Sequence, residues 1–416
     1  MLIGEYARLS RGGQDWTEAF ATAIEDIRKQ GGGELTVPSG TYKTGSIRLC
    51  SHLTLNIQAG AVLDFIPDEQ LYPPIDLAFE GINQPCHQSC LFAQGERFIT
   101  LKGEGTINGN GSYWWKKFRN GELECARPYL ICLADCTHVR LMDLHLTNSP
   151  VWTVHPLRCR DVLVENLLIE NPYDSPNTDG IDPDSCSDVR IMGCVIDVGD
   201  DCISVKCGTE DTPSPLPSQR VIISGCMFLH GHGGVVLGSE MSGGIRDVLV
   251  SDCVFRDTDR GIRLKTRRGR GGRVEDIRLT NLMMDGVMCP FVFNMFYFCG
   301  KGGKSPRVSD KSSLPVDEST PYLGGVRISN VSVRNCTACA GYFYGLPESP
   351  VEGVTFRDVT VRMAGQSEGG HPAMMEGCEW MTKRGFFLRN ARGVSFEGTE
   401  VFGVQGAPSD MDESVC

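Results

Sequence analysis

Four short motifs hold the residues whose types and spacing are best suited to chemistry. NTDG (177–180) offers Asn177 and Asp179, and GDD (199–201) offers Asp200 and Asp201. HGHGG (230–234) offers His232, and RGIRLK (260–265) offers Arg263 and Lys265. Carboxylates gathered on one surface repel each other, so at least one of the three acids is expected to keep its proton near neutrality. A protonated carboxyl beside ionised ones is what glycoside hydrolysis requires. One acid protonates the leaving oxygen while another carboxylate activates water. The bland reading of any single aspartate is a solvated turn residue. It weakens when all three share a register with a histidine and a pair of cations.

That register comes from an internal repeat. CTHVRLMDLHL (136–146) returns as CRDVLVENLLI (159–169), CSDVRIMGCVI (186–196), SQRVIISGCMF (218–228), IRDVLVSDCVF (245–255) and VEDIRLTNLMM (274–284). Aligned on Val139, Val162, Val189, Val221, Val248 and Ile277, the units are spaced by 23, 27, 32, 27 and 29 residues. Each alternates apolar and polar residues, breaks at a small or polar turn, and starts another short strand. Units of this size cannot bury an apolar face alone, whereas stacking them makes one continuous core. The expected fold is therefore all-β: a right-handed parallel β-helix forming a single domain over 1–416. An antiparallel sandwich would need a hairpin turn roughly every 8–12 residues and leaves the repeat unexplained.

Equivalent positions of successive coils in such a stack lie ~4.8 Å apart. The four motifs fall at nearly the same phase of consecutive coils, which lines the acids, His232 and the cations along one face. Arg263 and Lys265 share parity and point outward while Leu264 goes to the core. Asp200 and Asp201 are neighbours, and Gly199 suggests a bend that lets both reach the same cleft. Lys206 has the parity of Asp200 and either reaches the cleft or is solvated. Residues 15–33 have helical periodicity, with Asp15 or Thr17 as N-cap and Gly31–Gly33 as stop, and are expected to cap the first coil. Two polar insertions, 109–127 and 300–325, interrupt the ladder and are expected to wall a binding cleft.

Taken in order, NTDG, GDD, GHG and RLK resemble glycoside hydrolase family 28, the polygalacturonases, and the likeness runs from GGGELTVPSGTY (31–42) to the last coils. The resemblance implies an inverting enzyme with Asp201 as general acid, and Asp179 with Asp200 holding and deprotonating the attacking water. It implies that His232 supports the acid's protonation state and that Arg263 and Lys265 bind the sugar carboxylate. Asn177 is placed either as a turn-former or as a substrate ligand. The presence of RLK argues against the rhamnogalacturonan-cleaving branch.

An anionic substrate is also indicated by RLKTRRGRGGR (263–273), which holds six cations in eleven positions. A uronic-acid polymer accounts for these cations beside the acids, because cations bind sugar carboxylates. The reading is of an exo-acting member, with the two insertions closing one end of the groove and Arg267, Arg268 and Arg270 fixing a terminal uronate, and the resemblance implies one of bacterial type. The alternatives are an endo-polygalacturonase, a glycosidase of rhamnose-containing pectin, a calcium-dependent lyase and a non-catalytic polysaccharide-binding solenoid. No cofactor and no metal are expected.

A net charge of −12 argues against nucleic acid or anionic membrane as partners. No apolar run approaches the ~20 residues of a membrane span. The N-terminal residues lack the pattern of a secretory leader, so a cytoplasmic location is expected, with the 19 cysteines reduced. Many of these cysteines sit in the repeat strands, where a thiol is a good small hydrophobe.

Overall fold

The valines used to align the repeats are hydrogen-bonded neighbours in space. In the computed structural model, which describes residues 1–412, Ile99 pairs with Val139, Val139 with Val162, and Val162 with Val189, all in parallel register. Farther along, Val221 pairs with Val248, Val248 with Ile277, and Ile277 with Val326. Val326 then pairs with Val354, and Val354 with Val394. The fold is a right-handed parallel β-helix. By internal contacts the chain forms two compact units, Met1–Asp200 and a second from Asp201 onward.

Alternation dictates what each coil buries. In Thr137–Met142, Val139 and Leu141 are buried while their neighbours are partly or fully exposed. Turns between strands take up the left-handed conformation, which Asn, Asp and Gly tolerate best. Asp143, Asn166 and Gly193 occupy one such column with φ of 61°, 54° and 64°. The side-chain amide of Asn166 donates to the Asp143 carboxylate of the preceding coil at 3.2 Å. A Cβ at 193 would stand 2.5 Å from the Asn166 side-chain oxygen, so any larger residue there must displace that side chain. The described cysteines are free thiols, most of them buried.

In the first unit the N-terminal helix spans Thr17–Lys29 and buries Phe20, Ile24 and Ile27 on one face. Its N-cap is Trp16, without a side-chain cap bond, and not the Asp15 or Thr17 expected; Asp15 instead accepts from the Thr17 amide at 2.9 Å and the Thr17 hydroxyl at 2.5 Å. The insertion at 109–127 is not a loop. It contains a helix, Gly111–Asn120, whose Trp114 is fully buried against Tyr72 and His87. The insertion at 300–325 holds a four-residue helix, Pro306–Ser309, and ends in the strand Tyr322–Cys336.

One element departs from the parallel plan. Pro74–Phe79 and Ile82–His87 form an antiparallel hairpin. It covers a parallel sheet of Ile47–Arg48, Leu91–Gln94, Ile131–Ala134 and Val154–Leu157. Leu77, Phe79 and Cys86 of the hairpin share an apolar cluster with Phe92, Tyr129, Cys132 and Trp152. The hairpin therefore keeps this cluster from solvent.

Candidate active site

Within the first unit, Asp179 is placed by backbone bonds. The Thr153 amide donates to the Asp179 carbonyl at 2.8 Å and the Val154 amide to the Gly180 carbonyl at 3.0 Å. Since Val154 is also the bridge partner of Ile181, Asp179 lies one coil beyond Trp152. Val154 pairs in turn with Ile131, so Tyr129 lies one coil farther back. Asp179 and Asp200 have carboxylate oxygens within 4.8 Å of each other. Gly199 makes that approach possible: a Cβ there would meet the Ser175 carbonyl at 2.4 Å and the Pro172 carbonyl at 2.7 Å. Close packing against the 172–178 loop, and not a left-handed φ, is what this glycine supplies.

Arg127 holds that loop. It is 2% exposed and donates to the carbonyls of Pro150 at 3.0 Å and Pro176 at 2.8 Å, and to the Asn177 side-chain oxygen at 2.7 Å. Its guanidinium lies over Phe118 at 3.9 Å. Burial lowers its pKa to about 10, against the raising influence of Glu80, Tyr129 and Asp179. Asn177 takes a φ of 55°, the turn conformation, with its side chain engaged by Arg127.

In the second unit, Asp201 opens the strand Asp201–Val205 and is fully buried. Its carboxylate accepts from Lys265 at 2.7 Å and from Arg263 at 3.3 Å. Both cations come from Arg260–Lys265, the second strand along the sheet, because Asp201 pairs with Gly233 and Val236 with Arg263. The absent side chain at Gly233 makes room for this reach, since a Cβ there would be 3.1 Å from an Asp201 oxygen. As parity requires, Leu264 is in the core while its neighbours meet the carboxylate; both neighbours are nonetheless buried, Arg263 to 2% and Lys265 to 6% exposure.

Lys206 joins the cluster, 3.7 Å from Glu240. Tyr297 lies beside the cations, 5.5 Å from Arg263 and 5.1 Å from Lys265. His232 is half-buried in the turn before Gly233–Gly238. Tyr297, Glu240 and Arg127 escaped the sequence reading. The run PFVFNMFYFCG (290–300) signals an aromatic-rich coil, but nothing in it marks Tyr297 for the cluster.

The charge on Asp201 differs from the sequence expectation. Burial alone would keep the carboxyl protonated, yet Lys265, Arg263 and Lys206 overcome it and hold the pKa well below the usual carboxylate range. Crowding of acids is not the dominant influence; the cations are. Glu240 is likewise held ionised despite its burial, by Lys206, Arg270 and Lys265. Lys206 and Lys265 thus help to hold both Asp201 and Glu240 ionised.

Arg267, Arg268 and Arg270 do not serve as spare cations. Arg267 donates to Glu210 at 2.5 Å and to the Lys301 carbonyl at 2.6 Å, and Arg270 also donates to Glu210. Arg268 forks onto Glu348 at 2.6 and 2.9 Å and bonds the carbonyls of Arg307, Asp310 and Ser312. All three are buried, and Arg267 and Arg268 fasten the 300–325 insertion.

Comparison with known proteins identifies the family. The family model for glycosyl hydrolases family 28 matches residues 33–378. A probable polygalacturonase of Vitis vinifera is 35% identical over 364 residues, covering 85% of this chain and 72% of the relative. One from Arabidopsis thaliana is 28% identical over 381 residues, covering 88% of this chain and 75% of the relative. Among solved structures, a hyperthermoactive exopolygalacturonase from Thermotoga maritima superposes with a TM-score of 0.75 at 25% identity, covering 96% of this chain and 91% of that one. A family 28 exopolygalacturonase from Yersinia enterocolitica superposes with a TM-score of 0.78 at 22% identity, covering 99% and 76%.

Proposed function

Because the chain belongs to glycosyl hydrolases family 28 and is therefore a glycoside hydrolase, we propose that it hydrolyses galacturonan from the chain end, releasing galacturonate with inversion. Asp179 and Asp200 hold and deprotonate the attacking water, and Asp201 protonates the leaving oxygen. Arg263 and Lys265 bind a sugar carboxylate beside that bond.

The observation that carries the exo reading is the hairpin-covered face of the first unit. Phe79 of the hairpin stacks on Tyr129 at 5.5 Å and on Trp152 at 6.3 Å. Trp152 and Tyr129 lie one and two coils back from Asp179, at ~4.8 Å per coil. A sugar chain lying along the coils over Asp179 meets these rings almost at once and cannot continue in that direction. Only a chain end fits. In this reading the wall is the hairpin.

End-wise cutting has a bulk signature. With polygalacturonate as substrate, reducing ends are expected to accumulate while viscosity falls only slowly. A steep viscosity loss at low reducing-end release would show internal cutting and overturn the reading.

A further inference from the structure

The acid proposed above is buried and paired with two cations, a state from which it has no proton to give. Lys265 and Arg263 reach its carboxylate at 2.7 and 3.3 Å. The same two residues are assigned to the sugar carboxylate. Both tasks cannot be performed at once by the same hydrogen bonds.

We propose that the substrate arms its own catalyst: a bound galacturonate draws Arg263 and Lys265 onto its carboxylate, and Asp201, released from them, takes up the proton that it delivers to the leaving oxygen. This rests on the reading of Asp201 as the general acid. A planar guanidinium and a three-donor ammonium prefer an open, two-oxygen carboxylate that they can bind together. At 3.3 Å the Arg263 bond to Asp201 is long for a guanidinium on a carboxylate, so it has geometry to gain. The arriving negative charge also raises the proton affinity of a buried neighbouring carboxyl, in the same sense as the loss of its partners.

The titratable groups around Asp201 include His232, next to its bridge partner Gly233, and the Asp179–Asp200 carboxylates; three further groups have fixed partners or states. Lys206 stays opposite Glu240 at 3.7 Å. Arg260 is occupied by Asp259 and by the carbonyls of Pro372 and His371. The Tyr297 phenol is held neutral by burial, its pKa raised well above normal.

Protons balance over the cycle. Binding takes one from solvent onto Asp201. Hydrolysis passes it to the leaving oxygen as the glycosidic C–O bond breaks and the water oxygen bonds to the anomeric carbon. The water's proton goes to the Asp179–Asp200 pair and returns to solvent, and Asp201 is recaptured by Lys265 and Arg263 as products leave. A consequence is selectivity: a neutral galactan of the same shape leaves the acid unprotonated and is not cut.

The test is a proton count on binding. Asp179→Asn, which lacks the proposed base, is titrated calorimetrically with galacturonate trimer near pH ~6, between ordinary carboxylate titration and neutrality, in buffers of different ionisation enthalpy. Uptake approaching about one proton per trimer is expected. It should vanish in the Asp179→Asn/Asp201→Asn double variant and with a trimer whose carboxylates are reduced to alcohols. No uptake in the single variant, or equal uptake in the double one, overturns the proposal. If Asp179→Asn does not fold, galacturonate monomer bound to the wild-type protein gives the same readout without turnover. Persistent hydrolysis by Asp201→Asn would instead sink the acid assignment, a result separate from the count.

Discussion

Asp201→Asn is expected to lower turnover of a galacturonate trimer by about 10²- to 10⁴-fold, the range a general acid contributes. An amide keeps the shape of the carboxyl but has no proton to deliver to the leaving oxygen. Binding should hold or tighten, because Lys265 and Arg263 no longer have Asp201 as a competing anion. Removing one partner of a buried ion pair costs about 3–5 kcal/mol, so rates must be compared at a temperature where circular dichroism shows the variant folded. Initial rates of reducing-sugar release at saturating trimer decide the matter. A variant keeping a tenth or more of wild-type turnover would contradict the role.

Cutting away the hairpin should change the products instead of the rate. If Pro74–His87 is replaced by a short Gly-Ser connection, Trp152 and Tyr129 lose the Phe79 ring stacked on them. A polymer can then run past Asp179, and internal cuts are expected, with dimers and trimers among the early products. The excision also uncovers the apolar cluster that Leu77, Phe79 and Cys86 share with Phe92 and Cys132, so a loss of stability is expected. Phe79→Ala is the milder variant, which opens part of the wall while leaving the hairpin strands in place. If both variants remain purely end-cutting, the hairpin is not the wall.

The coils were legible because their information is local. Alternating apolar residues and an Asn, Asp or Gly at each turn are written inside every repeat, and the Val139, Val162 and Val189 alignment coincides with the hydrogen-bond register. The motif residues were legible less exactly: Asp201 pairs with Gly233 beside His232, but Arg263 is in register with Ser204, three residues past Asp201, and Lys265 lies two residues farther. What escaped was non-local. The charge on Asp201 is set by residues 62 and 64 positions away. Arg127 acts on Asn177 across 50 residues. Arg268 looks like a free cation until Glu348, 80 residues on, is brought beside it.

The hairpin gave a weaker local signal. Its turn is Glu80–Gly81, with φ of 50° and 77°, where the Asn-Gly or Asp-Gly pair that marks such turns is missing. The helix at 111–120 has left-handed residues at both ends, Asn110 and Gly121, and no side-chain cap at its start, so its boundaries were hidden in a polar stretch.

The central claim, hydrolysis from a closed chain end, is tested most directly by following the wild-type enzyme on galacturonate tetramer from the first few per cent of conversion. The hairpin over Tyr129 and Trp152 predicts galacturonate monomer and trimer together at the outset, with dimer only as trimer is consumed. Dimer as the leading first product from tetramer, or mixed oligomers from longer chains, would contradict it.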